Sequence, residues 1–163
     1  MSQREVKLYK GFDEWAWRSY DGKKSLDIKD FIETHRDRHF FIGTDSQNYK
    51  KKNRRCVFTT VLIAYCMGKG GTIATHIDKV DYVESLRQRL LIEAMRSLEV
   101  AWFLDRHVPA KNIIGIHLDV NSNLKYRSGQ YKDELVGLVM SQGFRALVKP
   151  DAWAASSVAD YRT

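Results

Sequence analysis

The chain has 163 residues, of which 44% are hydrophobic, so it fits one domain and can bury a real core. That composition excludes an intrinsically disordered chain. The 27 Lys and Arg residues outnumber the 20 Asp and Glu residues and give a net charge of +7. This excess favours a polyanionic partner, nucleic acid first, although it also serves plain solubility. No apolar run approaches the roughly 20 residues that a bilayer crossing needs, so no membrane association is expected.

The two cysteines predict an intracellular, cytoplasmic protein. Cys56 and Cys66 fall in one predicted strand, whose extended chain separates them by roughly 33 Å, far beyond disulfide reach. We therefore expect reduced thiols, which are typical of the cell interior. Zinc ligation is not expected, because no Cys-x-x-Cys or Cys/His pair has ligand spacing.

The N-terminal part is predicted to be an arm followed by a short helix. Residues 1–24 are aromatic and irregular, and we expect them to pack over the core. Ser25 can cap a helix that runs to about Thr34, because apolar residues recur on one side of that segment.

Three strands follow the short helix. Phe40 to Asp45 is predicted to be a buried strand, and the polar, basic residues 46–55 a loop. Residues 57–65 are β-branched and apolar, and residues 72–80 return as a third strand after a glycine-rich turn. Short connections between successive strands are typical of an antiparallel meander.

The longest helix is predicted from Glu84 to about Arg106, because its side chains recur at spacings of three and four residues. Those positions, apolar except for the last, are Leu91, Ala94, Met95, Leu98, Trp102 and Asp105. The chain then alternates between a strand at 113–120, a helix at 131–142 and a fifth strand at 144–149, before a short terminal helix.

This order predicts an α/β fold with a mixed five-stranded sheet, three antiparallel strands and then parallel strands, flanked by helices. In such a sheet, ligands gather at the carboxyl ends of the parallel strands. Asp45 and Asp119 each end a predicted strand there. A carboxylate at the tip of a buried strand is costly unless positive charge compensates it. Several converging carboxylates therefore predict a divalent metal site.

Each of these acids also has a structural interpretation. Asp45 and Asp119 could close turns through hydrogen bonds to the following backbone. Glu93, inside the long helix, could be an exposed residue paired with Arg89 or Arg96.

Three segments carry a family resemblance: residues 42–47 (Ile-Gly-Thr-Asp-Ser-Gln), 117–121 (His-Leu-Asp-Val-Asn) and 148–160 (Val-Lys-Pro-Asp-Ala-Trp-Ala-Ala-Ser-Ser-Val-Ala-Asp). Together with the order of elements, they resemble the RNase H-like superfamily, and more specifically the bacterial and phage YkuK family of predicted RNase H-like nucleases. The resemblance implies one RNase H-like domain over residues 1–163, with residues 1–35 forming an arm and short helix packed on it.

The resemblance also implies four acidic metal ligands. Asp45 matches the acid of the first strand, Glu93 that of the first core helix, and Asp119 that of the fourth strand. Only the resemblance selects Glu93 among the glutamates of its helix. Asp160 matches the last acid, on the terminal helix, but Asp151 competes for that role because resolvase-like relatives place the last acid early. Asp160 could instead be the N3 acid of a capping box with Ser157 at the N-cap, and Asp151 could be a helix cap after Pro150.

These acids would make the protein a metal-dependent nuclease. Two Mg²⁺ or Mn²⁺ ions about 3.5–4 Å apart can activate water and relieve the charge on the leaving oxygen of RNA, DNA or a hybrid. Asp45 would bridge both ions, and the remaining acids would each hold one side. The alternative is a catalytically silent RNase H-like module that binds nucleic acid or another protein.

A basic segment beside Asp45 is the predicted nucleic-acid contact. It could track a phosphate backbone, or it could be a solvated hairpin loop. Its cations are Lys50, Lys51, Lys52, Arg54 and Arg55. Ser46 and Gln47 could bind a substrate phosphate or orient Asp45, or they could be turn residues. Lys149 could neutralise the scissile phosphate or face solvent.

Overall fold

The computed structural model describes residues 11–50, 55–120 and 127–148. Within these residues the helices are α1 (Ile28–Thr34), α2 (Leu86–Asp105) and α3 (Lys132–Ser141). The strands are β1 (Trp17–Ser19), β2 (Ser25–Leu26), β3 (His39–Lys50), β4 (Arg55–Cys66), β5 (Gly70–Val80), β6 (Ile113–Leu118) and β7 (Ala146–Val148). Short 3-10 turns lie at Phe12–Glu14, Ala110–Asn112 and Arg127–Tyr131.

One mixed sheet joins the seven strands in the order β2-β1-β5-β4-β3-β6-β7. Strands β3, β4 and β5 form the antiparallel meander, and β6 and β7 continue the sheet in parallel with β3. The predicted α/β fold with a mixed sheet is therefore confirmed, with seven strands in place of five. Parallel addition of β6 beside β3 brings the carboxyl ends of these two strands to the same edge of the sheet.

The two additional strands come from the predicted arm. Trp17 is buried and anchors β1, which pairs with β5 through Arg18 and Thr75. Ser25 lies in β2, where it pairs with Arg18 of β1, and it does not cap the helix. The cap of α1 is Asp27, whose carboxylate accepts a hydrogen bond from the Asp30 N–H. The prediction of an irregular arm was wrong at residues 17–19, because β1 pairs with both β2 and β5 and is anchored by the buried Trp17.

The strand β3 is twice as long as predicted, because residues 46–50, which were expected to begin a basic loop, continue the ladder. Ser46 pairs with Phe58 and Gln47 with Val57, and pairing continues beyond a register shift to Lys50 with Arg55. The strongly β-forming residues of β4 supply partners for a polar segment that would not form a strand alone. Asp45 consequently lies inside β3, opposite Thr59 of β4.

The helix α2 covers the centre of the sheet and contacts β3, β4 and β6. Its predicted apolar face was partly wrong, since Met95 and Trp102 are 39% and 38% exposed. The buried side of the helix carries Leu90, Ala94, Leu98, Ala101 and Leu104 together with the polar Glu93, Arg96 and Ser97. Hydrophobic periodicity misplaced the face because three of its buried positions are polar.

The later elements follow the prediction closely. Gly143 adopts a positive φ of 86° after α3 and turns the chain toward β7, which runs parallel to β6. Cys56 and Cys66 lie near opposite ends of β4 as free thiols, as expected. In the described part of the chain, no helix has both the length and the apolar character needed to cross a membrane. Residues 1–10 and 149–163 of the predicted domain lie outside the described residues.

A glycine sets how closely β7 approaches β6. A Cβ atom added at Gly115 would lie 2.9 Å from the backbone oxygen of Arg145 and 3.2 Å from the Leu147 side chain. We expect Gly115→Ala to lower the free energy of unfolding by about 1–3 kcal/mol, because backbone must move to accommodate the methyl group. Urea denaturation measures this change.

Gly137 is the matched control, because it lies inside α3 with nothing within 4 Å of an added Cβ. Gly137→Ala should raise stability by about 0.5–1 kcal/mol through helix propensity. Equal effects of the two substitutions would contradict the close approach of β7.

Candidate active site

The site includes three consecutive residues of β3: Thr44, Asp45 and Ser46. Thr44 and Ser46 point toward α2, because the Thr44 Oγ1 lies 2.8 Å from the Ser97 Oγ and the Ser46 Oγ donates to the Glu93 Oε1 at 2.6 Å. The backbone N–H of Ser46 donates to the Asp45 Oδ1 at 2.9 Å. Ser46 therefore contacts two of the predicted acids at once, within a strand and not within a turn.

Glu93 is buried between α2 and the sheet, with 6% of its surface exposed. Burial, with a smaller contribution from the charges of Asp45 and Asp119, raises the pKa of its carboxyl to about 8. The Ser46 hydrogen bond and the Arg89 charge act in the opposite direction. Glu93 is therefore protonated at neutral pH in the metal-free protein, and it is not the exposed, ion-paired residue of the structural interpretation.

The two strand aspartates leave the parallel ladder at the same edge. The last parallel pair is Gly43 with His117. Asp45 lies two residues further along β3, and Asp119 lies two residues after His117, directly beyond the end of β6. Neighbouring strands are roughly 4.8 Å apart. Asp119 lines a narrow crevice with Glu93 and His117, and both aspartates are close enough to Glu93 to shift its pKa. Three of the predicted acids thus share one end of the sheet.

His117 lies at this edge as a neutral residue. It is 3% exposed, and its ring centroid lies 5.4 Å from that of Phe41. Burial lowers the pKa of His117 to about 4, so the ring adds no positive charge beside the acids at neutral pH.

The donor set has the chemistry that Mg²⁺ and Mn²⁺ prefer. Three carboxyl groups and the Ser46 hydroxyl are hard oxygen ligands, and their mutual repulsion is the kind that a divalent cation relieves. Among residues 11–50, 55–120 and 127–148, no group of three His, Cys, Asp or Glu side chains is close enough to hold a metal ion as it stands. The acids therefore match a divalent cation in ligand type, but their spacing in this structure is too wide to ligate one.

Comparison with known proteins identifies the fold. The model of the family described as "Ribonuclease H-like" matches residues 25–163. The chain belongs to the ribonuclease H-like family. It is also 32% identical over 139 residues to the uncharacterized protein YkuK of Bacillus subtilis (strain 168), covering 73% of this chain and 75% of that protein. The resemblance to the YkuK family is thereby confirmed. No solved structure matches the chain.

Several predicted positions of this ribonuclease H-like chain are not described by the structure. They are Lys51, Lys52, Arg54, Lys149, Asp151 and Asp160, together with the side chain of Lys50. Gln47 is exposed on β3. Arg55 pairs with Asp81 through its Nε at 2.6 Å, so this cation already has an anionic neighbour. The choice between Asp151 and Asp160 stays a prediction.

Sequence reasoning missed the polar residues that position Glu93. Ser97 lies one turn after Glu93 on α2, and its hydroxyl meets Thr44, which in turn donates to the Thr60 hydroxyl at 3.2 Å. Arg96 forms a forked contact with Asp78 of β5 at 3.0–3.3 Å. Arg96 and Ser97 lie three and four residues after Glu93, on the same face of the helix. They could have been found from the sequence if that face had been assigned to the sheet.

The raised pKa of Glu93 predicts how stability depends on pH. Between its ordinary pKa of 4.5 and about 8, the folded protein keeps the proton and the unfolded chain does not. This contribution to stability is fully present below pH 4.5 and is lost as the pH rises through 8. In EDTA, the free energy of unfolding should fall by up to about 1.4 kcal/mol per pH unit across that window, as measured by urea denaturation.

Glu93→Gln should remove this slope and be more stable than the unsubstituted protein above pH 8, because the amide cannot ionise. Glu84→Gln is the matched control, since Glu84 is exposed just before the same helix. A slope that survives in Glu93→Gln would show that the carboxyl does not hold its proton in the folded state.

Proposed function

We propose that this protein is a divalent-metal-dependent nuclease that hydrolyses phosphodiester bonds of RNA, DNA or a hybrid. The observation that carries the proposal is the meeting of Asp45, Glu93 and Asp119 at one edge of a ribonuclease H-like sheet, where the two aspartates act on the buried Glu93. Burying a carboxyl group among like charges costs stability, and groups that bear this cost cluster at functional sites. A cation site explains why three acids occupy this edge.

The residues that would hold the metal are Asp45, Glu93 and Asp119, with Asp160 or Asp151 as a fourth ligand. Two Mg²⁺ or Mn²⁺ ions bound there would activate a water molecule and stabilise the leaving oxygen. Hydrolysis would be direct, with no covalent enzyme intermediate.

The chain's own residues prepare the site for this task. Ser46 holds the Glu93 carboxyl by its hydroxyl and Asp45 by its backbone N–H, which fixes the relative orientation of the two acids. The contact between Thr44 and Ser97 fixes α2 against β3 one helical turn further on. The proton held by Glu93 lowers the repulsion between the acids until a cation replaces it.

The proposed substrate follows from charge as well as from the family. A net charge of +7 attracts a polyanion despite the acidic edge. The proposed contacts are Ser46, Gln47, Lys50, Lys51, Lys52, Arg54, Arg55 and Lys149. Of these, Ser46, Gln47 and Lys50 lie on β3, the strand that holds Asp45, and Arg55 lies on the paired strand β4.

One observation favours a second candidate, a catalytically silent module that binds nucleic acid. The acids of the described residues do not stand close enough to ligate an ion, and Glu93 already has the Ser46 hydroxyl as a partner. For this candidate, nucleic-acid binding would be unchanged by EDTA and no substrate would be cut with either metal.

Substitution of the strand aspartates tests the nuclease. Asp45→Asn and Asp119→Asn should each abolish cleavage of labelled RNA, DNA and hybrid substrates in Mg²⁺ or Mn²⁺, because an amide is a weaker cation ligand. Mn²⁺ at about 100 times its Kd should stabilise the unsubstituted protein by about 2.7 kcal/mol, seen as a higher Tm, and each variant should lose this shift.

Asp37→Asn is the control for charge alone. Asp37 is exposed in the turn before β3, at the end of that strand remote from the site. This variant should keep both cleavage and the Mn²⁺ shift. Cleavage that persists in both folded strand variants would overturn the proposed site, and no cleavage of any substrate by the unsubstituted protein would leave the binding module in its place.

A further inference from the structure

A second feature lies at the opposite end of β6 from the acids. A crevice of about 350 Å³ opens where β6 begins, beside the end of α2 and the turn that leads into β7. Its lining includes Asp105, Lys111, Ile113, Ile114, Phe144 and Arg145. The six residue steps from Ile113 to Asp119 separate it from the acidic edge by roughly 20 Å along the chain. Its volume is in the range of small-ligand sites.

The walls of this crevice are fixed by backbone contacts. The carbonyl oxygen of Arg145 accepts from the Ile116 N–H at 2.8 Å, and Gly115 lets this carbonyl approach closely. On the other side, the Asn112 amide donates to the carbonyl of Arg36 at 3.1 Å and ties the turn that carries Lys111 to the residues after α1. Lys111 and Arg145 therefore project from backbone that is held in place.

The charges of the crevice favour an anion. Lys111 and Arg145 are exposed, and within the described part of the chain neither has a carboxylate within ion-pair distance. The same holds for the exposed Arg36 beside them. Asp105 is the one acid among the lining residues, so cations outnumber acids. A site lined by both unpaired cations and apolar side chains suits a ligand with one phosphate and one flat apolar face.

We propose that this crevice binds one nucleotide unit of a single-stranded nucleic acid. The phosphate would contact Lys111 and Arg145, and the base would lie on the floor formed by Ile113, Ile114 and Phe144. An unstacked base suits a crevice of this size, and the floor offers one aromatic side chain. This inference rests on the proposed function for the class of ligand alone and does not require cleavage.

The test is binding of a fluorescent single-stranded oligonucleotide in EDTA, followed by anisotropy over a range of salt concentrations. Lys111→Ala/Arg145→Ala should weaken binding about tenfold at low salt and reduce the slope of log K against log salt by about 0.7, since the contact with one phosphate is lost. Asp105→Asn should tighten binding, because it removes a charge that repels the phosphate.

The matched control is Lys23→Ala/Lys24→Ala, which removes the same charge from exposed positions near the opposite edge of the sheet. Equal losses in the two double variants would show a general charge effect and overturn the crevice site. Competition with a mononucleotide shows whether the crevice binds a strand or a free nucleotide. Binding of the oligonucleotide at least tenfold more tightly than the mononucleotide supports the proposal. Equal affinities overturn it in favour of a free-nucleotide site.

These readouts are separate from the nuclease test. Anisotropy in EDTA can depend on Lys111 and Arg145 even if no substrate is cut. Conversely, cleavage abolished by Asp45→Asn with no effect of the crevice variants on binding would retain the proposed function and reject the crevice.

Discussion

The burial of Glu93 against β3 is the constraint on which the site depends. A carboxyl group between a helix and a sheet must either keep its proton or receive compensating charge, and this one has the Ser46 hydroxyl within 2.6 Å and two aspartates nearby. Ser46 is held in turn by the extension of β3 along β4. Pairing of a polar strand segment with an apolar one thus determines where the acids meet.

Polar contacts also fix how α2 lies on the sheet. Ser97 meets Thr44, and Arg96 reaches Asp78 of β5, one turn from Glu93. Such buried contacts add little net stability compared with apolar packing, but each is satisfied only in one register of the helix. Apolar residues alone would tolerate a small rotation of α2 that would remove the Glu93 carboxyl from Ser46. The polar residues on this face of α2 therefore reduce the apolar surface that the helix buries, and they define the position of the Glu93 carboxyl.

The sequence was sufficient to predict the order of elements, because β-branched runs and turn residues separate the strands from the helices. It also placed Asp45 and Asp119 at one edge, since parallel strands end together. It could not predict β1 or the full length of β3, which exist through pairing with β5 and β4 and not through local propensity. Nor could periodicity reveal that Glu93 is buried, because the hydrogen bond that makes this burial tolerable joins residues 47 positions apart.

The two ends of β6 have opposite electrostatic character, and this affects how a nucleic acid can approach. At the carboxyl end, the negative charges of Asp45 and Asp119 would repel a phosphate unless a cation neutralised them. At the amino end, Lys111 and Arg145 attract one in the absence of metal. An acidic edge alone would make substrate affinity depend wholly on bound ions. With the proposed crevice roughly 20 Å away, cations would hold a strand independently of those ions, and substrate binding and metal binding would not compete for the same residues.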